Sequence, residues 1–365
     1  MKIKITPLDN LFFRDGKSFN KGEDNWAETL YLPNVSTVYG ALRSKYFSEN
    51  MDVFDFANTE EDPTRNLKIT GFYLSVTDKN STLFPMPLDL VFYKEGNTKK
   101  YEDENSYPVY KMKNILNQGI YSSIHNKYHL SHMFSVEENK KVETLENAYL
   151  KNTGIEKYFD NQINGKIKAN TLSKYIYKES KIGISKDNKT GSTQESMLYR
   201  MNQVRYKDLC MIVEFEGIEI DEKGILKLGG KGNVVKYEKS NLDDKIFDEK
   251  KEYLCNRLKM YFLTPAIFEN GWIPDFIDKN TLKGTIDGVN VKLINAAVGK
   301  HQNIGGYDMK KNRPKPMKRA VPQGSVYIFE IDETLKTNKI EKLIVDSINK
   351  EQGYGISYCS YYYEK

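Results

Sequence analysis

Apolar and polar positions alternate at the start of the chain. Ile3 and Ile5 sit between Lys2, Lys4 and Thr6, the period of two that marks a half-buried strand over residues 2–6. The rhythm is lost in the stretch that follows, which is dense in Gly, Asn and Asp. It returns with a period near 3.6 after Pro33, Asn34 and Val35, where Ser36 reads as an N-cap and a helix is expected to about residue 48. Val38, Ala41, Leu42 and Lys45 share one face of that helix; Ser36, Tyr39, Gly40, Arg43 and Phe47 share the other. Strands are expected at 67–76, 83–93, 204–217, 258–263, 282–293 and 326–331, and on both sides of a glycine loop within 225–238. Helices are expected at 245–256 and at 339–348, where Ile340, Leu343, Ile344 and Ile348 form one stripe. A glycine turn and a tyrosine-rich strand close the chain.

Between residues 94 and 180 the text is rich in Asn, Lys, Glu and Tyr and shows little periodicity. It reads as an insertion of short helices and loops, dispensable for the core and suited to contact with a neighbouring protein. GGKGNVVKY at Gly229 and GYGISYCSY at Gly353 echo each other weakly. The pattern suits an α+β architecture of the βαββαβ type used twice, with domains at 1–240 and 241–365.

Composition narrows the class. The chain has 365 residues, 39% hydrophobic and 29% charged, ordinary for a globular protein and too apolar for a disordered one. No apolar run reaches the 18 or so residues of a membrane span, and the N-terminus lacks a signal-peptide layout. Cys210, Cys255 and Cys359 are scattered and odd in number, which fits a reducing cytoplasm and neither a disulfide framework nor a zinc knuckle. The net charge of +5 is modest, so nucleic-acid binding would need local clustering of charge. The 26 tyrosines serve equally as core, interface anchors or stacking platforms.

Four segments, in order, resemble one family. PLDNLFFRDGKSFNKGED followed by LPNVSTVYGALR resembles the opening of the RAMP-superfamily third Cmr subunits of type III-B CRISPR RNA-guided effector complexes, within the Cas-five-like group. KIGISKDNKTGSTQESMLYR resembles their middle motif and LKLGGKGN their first glycine loop. GKHQNIGGYD, RPKPMKRAVPQGSVYIFE and the closing GYGISY resemble their C-terminal motif. The resemblance spans Pro7 to Ile356 and leaves out mainly residues 47–179. It implies two ferredoxin-like (RRM-like) domains facing each other and a non-catalytic role without cofactor or metal: holding the 5′ tag of the CRISPR RNA, docking the large polymerase-like subunit and touching neighbouring backbone RAMP subunits. Two departures matter. Lys231 and Asn233 stand where the family often has an acidic then a basic residue, and Lys181 stands where arginine is common. Point-charge contacts to phosphate survive such swaps; bidentate ones do not.

The candidate RNA-facing residues follow from these segments. The helix start offers Ser36, Thr37, Tyr39, Gly40 and Arg43, a hydroxyl-bearing N-terminus suited to phosphate, although Ser36 reads as a plain cap and Tyr39 as core equally well. Arg14 lies in the loop after the first strand, where pairing with Asp15 would only fix the loop. Lys181 and Lys186 come from the middle motif, and Gly229, Gly230 and Lys231 from the glycine loop, which alone is a tight turn. Residues 300–319 are the densest basic stretch: Lys300, His301, Lys310, Lys311, Arg313, Lys315, Lys318 and Arg319 alternate with Gly305, Gly306 and Tyr307. Charge tracks a phosphate backbone, glycine permits close approach, and tyrosine stacks on an unpaired base. The tag is expected to cross a cleft between the two halves.

Alternatives remain at this point. His125, His129 and His132 would align on a helix and suggest zinc, but no HExxH motif or nearby cysteine supports a metal site. Some RAMP relatives cleave CRISPR RNA precursors without metal, and His301 is the one residue here suited to general-base work on a ribose 2′-hydroxyl. A pure protein adaptor, with tyrosines as anchors, is the third reading.

Overall fold

The computed structural model describes residues 1–14, 26–77, 81–94, 99–117, 130–136, 141–160, 163, 167–186, 193–242, 253–308, 313–337 and 340–362. They fall into two compact units, each built from three stretches: Met1–Asn80, Leu172–Asn241 and Asn303–Lys318 in the first, Ser81–Thr171, Leu242–Gln302 and Arg319–Lys365 in the second. A single break at 240/241 therefore does not describe the chain.

The first unit carries a sheet with the strand order Lys223–Lys227, Val234–Lys239, Lys2–Pro7, Leu209–Glu216, Lys68–Val76, every neighbour antiparallel. The expected alternation is realised, for Ile3 and Ile5 are fully buried. The last four strands of that list run 4-1-3-2 by chain order. Helix Val35–Glu49 fills the first crossover and buries Val35, Val38, Ala41, Leu42 and also Phe47, which the helical wheel had placed outside. Asn34, not Ser36, takes the cap position; its carbonyl accepts from the Thr37 amide at 2.8 Å, so Ser36 lies within the first turn. A hairpin stands where a second crossover helix would lie. The same unit extends a long antiparallel hairpin, Ile176–Lys186 with Thr193–Tyr206, and Trp26–Ala27 runs parallel to its second strand.

The second unit holds a six-stranded sheet ordered Lys283–Ile286, Val289–Ala297, Val326–Thr337, Tyr253–Phe262, Ile356–Tyr362, Ile340–Ile344. Its four inner strands again run 4-1-3-2, and among the described residues neither crossover is an α-helix. The helix expected at 339–348 is an edge strand: Ile340–Ile344 pairs with Ile356–Tyr362, and β-branched residues fit a pleated surface as well as a helical stripe. Of the other expected helix, residues 243–252 lie outside the described residues and Tyr253–Phe262 is strand. The fold is thus mostly β, with α-helices among the described residues only at Val35–Glu49, Lys99–Glu104 and Asn152–Phe159.

The segment read as a dispensable insertion carries core. Ala148–Lys151, Ile167–Thr171 and Ser106–Lys111 are adjacent strands of one sheet, and Ile155, Tyr158 and Phe159 of helix Asn152–Phe159 are buried. This layer packs on the six-stranded sheet. The Tyr261 hydroxyl donates to the Pro85 carbonyl, and Phe84 meets Tyr358 edge-on with centroids 6.5 Å apart. Between the layers Lys259 is almost wholly buried, its Nζ 4.3 Å from the centroid of Tyr158 and 5.3 Å from that of Tyr362. The Tyr158 hydroxyl donates to the buried Asp89 carboxylate, 2.8 and 2.9 Å from its oxygens. Burial, reinforced by that carboxylate, raises the Tyr158 pKa well above its ordinary value. One strand of this layer explains part of the missing periodicity: Ala148, Tyr149 and Leu150 are buried in succession, so it has no reason to alternate.

Candidate nucleic-acid interface

In the first unit the family-like opening segment is a hub of backbone contacts. Leu11 exchanges two hydrogen bonds of 2.8 Å with Val204, and the Leu30 amide donates to the Phe13 carbonyl at 2.8 Å. The glycine loop closes on the same segment: the Gly230 amide donates to the Phe12 carbonyl at 2.9 Å. Gly229 has φ +82°, and a Cβ there would stand 2.5 Å from the Phe12 carbonyl oxygen. Glycine is required at this position by its conformation and by close approach to another backbone. Lys231 follows with φ +64° and is exposed, as is Arg14 at the other end of the contact.

The helix face differs from its reading. A Cβ on Gly40 would meet nothing within 4 Å, so that surface is open. Arg43, however, is engaged along its whole guanidinium. Nε donates to Thr64 Oγ1 at 2.7 Å, Nη1 to Asn58 Oδ1 at 3.1 Å and Nη2 to Asp62 Oδ2 at 2.5 Å. The side chain is held by protein rather than left open for a phosphate.

The middle motif lies on the long hairpin, with Lys181 opposite Met201 and Lys186 opposite Thr193; Lys181 is exposed. The base of the hairpin is tied on one face by Glu28, which accepts from Asn202 Nδ2 at 3.0 Å and Lys178 Nζ at 3.2 Å. On the other face Glu179 accepts from Arg205 and, at 2.6 Å, from Asn10 Nδ2. These two donors hold the Glu179 carboxyl below the usual carboxylate range.

Residues of the basic stretch fall in both units. In the first, Tyr307–Asp308 pairs with Arg313–Pro314, and the Lys315 amide donates to the Gly306 carbonyl at 2.9 Å. Gly305, Gly306, Tyr307, Lys315 and Lys318 thus flank a small hairpin on which Tyr307 is 48% exposed. Lys310 and Lys311 lie outside the described residues.

In the second unit Lys300, His301 and Arg319 rim a cavity of about 550 Å³ whose wall includes Trp272, Val298, Val321 and Pro322. All three basic side chains are exposed, and none makes a hydrogen bond or ion pair with another described residue. Gly299 lets the rim turn against Leu88 and Pro322, which a Cβ would meet at 3.1 and 3.3 Å. The Trp272 carbonyl accepts from the Tyr327 hydroxyl at 2.5 Å, which fixes the tryptophan's backbone on the aromatic core. Trp272 was not a candidate from sequence; the signal available was a tryptophan within the polar stretch Glu269, Asn270, Gly271.

His125 and His129 lie outside the described residues. His132 begins a strand, His132–Ser135, which runs antiparallel to Lys113–Leu116, so His132 does not lie on a helix. Among the described residues no three His, Cys, Asp or Glu side chains group as metal ligands, and no helix is long and apolar enough to cross a membrane. Cys210, Cys255 and Cys359 are buried and form no disulfide.

The twice-used strand order and the helix-poor layers are the fold of chains in solved type III-B Cmr structures. A chain in the cryo-EM structure of the type III-B Cmr-beta bound to cognate target RNA and AMPPnP, state 1, aligns with a TM-score of 0.51 at 17% identity, over 90% of this chain and 86% of that one. A chain in the structure of the type III-B Cmr-beta bound to cognate target RNA aligns with a TM-score of 0.50 at 18% identity and the same coverage. No curated protein sequence matches. The model of the CRISPR-associated protein (Cas_Cmr3) family matches residues 3–359, and the chain belongs to that family.

Proposed function

We propose that the chain is a non-catalytic RNA-binding and scaffolding subunit of a type III-B effector complex. It holds the 5′ tag of the CRISPR RNA and joins the large polymerase-like subunit to the backbone subunits. Family membership and neighbours solved as Cmr-beta with target RNA support this. The observation that carries it is the rim of Lys300, His301 and Arg319, exposed and without described protein partners, around a cavity walled by Trp272. Cations follow a phosphate backbone, and an indole face beside them receives a base splayed from its stack. His301 lines the same cavity as Lys300 and Arg319, and no described carboxylate bonds to it to orient it as a base. Both 4-1-3-2 sheets are read as ferredoxin-like modules in which strands and loops replace three of the four crossover helices.

The test is a titration of tag-bearing against tag-scrambled RNA with the assembled complex, wild type and Lys300→Ala/Arg319→Ala. The variant is expected to lose about tenfold or more in affinity, the scale of one charge-assisted hydrogen bond, with repeat RNA left uncleaved by either protein. Unchanged affinity overturns the rim as the RNA site. Cleavage abolished by His301→Ala overturns the non-catalytic reading.

A further inference from the structure

The first unit also exposes an apolar ridge in an anionic setting. Helix Val35–Glu49 ends in a 3₁₀ segment, Met51–Phe56. Met51 and Phe54 are one 3₁₀ turn apart and so share an edge, with Phe56 beside them. The three are 68%, 54% and 40% exposed. Residues 46–64 contain Glu49, Asp52, Asp55, Glu60, Glu61 and Asp62 and no lysine or arginine, in a chain whose net charge is +5. Lys45 pairs with Glu49 at 2.5 Å and Arg43 with Asp62. Asp52, Asp55, Glu60 and Glu61 are exposed and make no ion pair with a described residue.

The ridge is held in place. Phe54 packs edge-on against the buried Phe47, centroids 5.6 Å apart, and the Arg43 guanidinium lies 5.8 Å from the Phe47 centroid. The Ala57 amide donates to the Phe54 carbonyl and the Thr59 amide to the Phe56 carbonyl, both at 3.0 Å. Three large apolar side chains kept in water on a fixed frame mark a contact surface, and the fixed frame lowers the ordering cost of contact.

We propose that Met51, Phe54 and Phe56 form a docking ridge for another protein subunit of the complex, whose matching surface is an apolar groove flanked by lysine or arginine. Charge decides the occupant. Four unpaired carboxylates repel phosphates, which excludes RNA and an anionic lipid surface, and they complement a basic rim on a protein. The ridge lies apart in sequence from the residues assigned to RNA and stands whether or not that assignment does.

The test uses the remaining protein subunits of the complex, co-expressed with this chain and purified without RNA. Phe54→Ser/Phe56→Ser and, separately, Asp52→Lys/Asp55→Lys are expected to cut recovery of one protein partner at least tenfold while binding tag-bearing RNA within twofold of wild type. Full recovery of every subunit with both variants overturns the proposal, as does a loss of RNA binding with assembly intact. Should a variant fail to fold, hydrogen exchange on the wild type decides: amides of residues 50–60 gain protection on assembly. Unchanged exchange there, or protection by self-association of the isolated chain, overturns it.

Discussion

Arg43 and Asp62 close on each other at 2.5 Å, Nη2 to Oδ2, and through that contact the first helix fixes the loop after it. Asp62 is buried and also accepts from the Thr64 hydroxyl at 2.6 Å, the Thr64 amide at 2.8 Å and the Asn58 amide at 2.7 Å. Burial works against its charge. The Thr64 hydroxyl, the two amides and Arg43 outweigh that cost and hold the carboxyl below the usual range.

Asp62→Asn should therefore destabilise the protein by about 1.5–3 kcal/mol at neutral pH, the worth of hydrogen bonds to a charged group. The sign of the pH dependence follows. A carboxyl whose folded pKa is depressed adds stability above its unfolded pKa, near 4, and loses it as pH falls through the folded value. The gap between wild type and variant in urea denaturation should be full at pH 6–7 and shrink steadily below about pH 4. A gap independent of pH would show that Asp62 acts by packing alone.

How far the sequence reveals this molecule depends on whether an element has one wet face. The alternation of Ile3 and Ile5 and the 3.6-residue period of the first helix were legible because each element buries one side. The strand around Tyr149 was not, because Ala148, Tyr149 and Leu150 are buried in succession and no alternation shows. The stripe of Ile340, Leu343 and Ile344 has the helical period, but its residues suit a pleated surface as well, and pairing with Ile356–Tyr362 decided for strand. At the candidate site, Lys300, His301 and Arg319 could be found as a dense basic run. Trp272 could not be joined to them, since only the folded chain brings it to their cavity, and nothing local in the helix discloses that Arg43 is taken by Asp62.

Replacing residues 94–171 with a short Gly/Ser linker should abolish cooperative unfolding. The replacement removes Tyr158 from Asp89 and Lys259 and strips the strands that carry Val109, Tyr149, Leu150 and Ile167. A buried cation and a buried carboxylate that each lose Tyr158 add to the lost apolar burial. Circular dichroism and a denaturant titration check this; a sharp two-state transition in the replaced protein would return the segment to the status of an insertion.

Gly229→Ala should cost about 1–3 kcal/mol, the range for a residue forced into a disfavoured backbone region, because φ is +82° and the new Cβ would meet the Phe12 carbonyl. Gly232→Ala, at φ +68° with open space around it, should cost less, since only the conformational penalty applies. Thermal denaturation of the two variants separates steric approach from conformation: equal losses would mean that the Phe12 contact does not constrain the loop.

The rim and the wall of the Trp272 cavity should fail differently. On the proposed reading Lys300 and Arg319 contact phosphates, which are alike along any strand. Each alanine substitution should lower affinity for tag-bearing and scrambled RNA equally and reduce the salt slope by about 0.7 for a single strand. Trp272 offers a face rather than a charge, so Trp272→Ala should leave the slope unchanged and cost about 1–3 kcal/mol if a base stacks there. Because a stacked base must be splayed out at a fixed position, that loss should fall more on tagged than on scrambled RNA. Fluorescence titrations at several salt concentrations read both quantities at once. A Trp272→Ala protein with wild-type affinity for both RNAs would remove the cavity from the RNA path and leave only its charged rim.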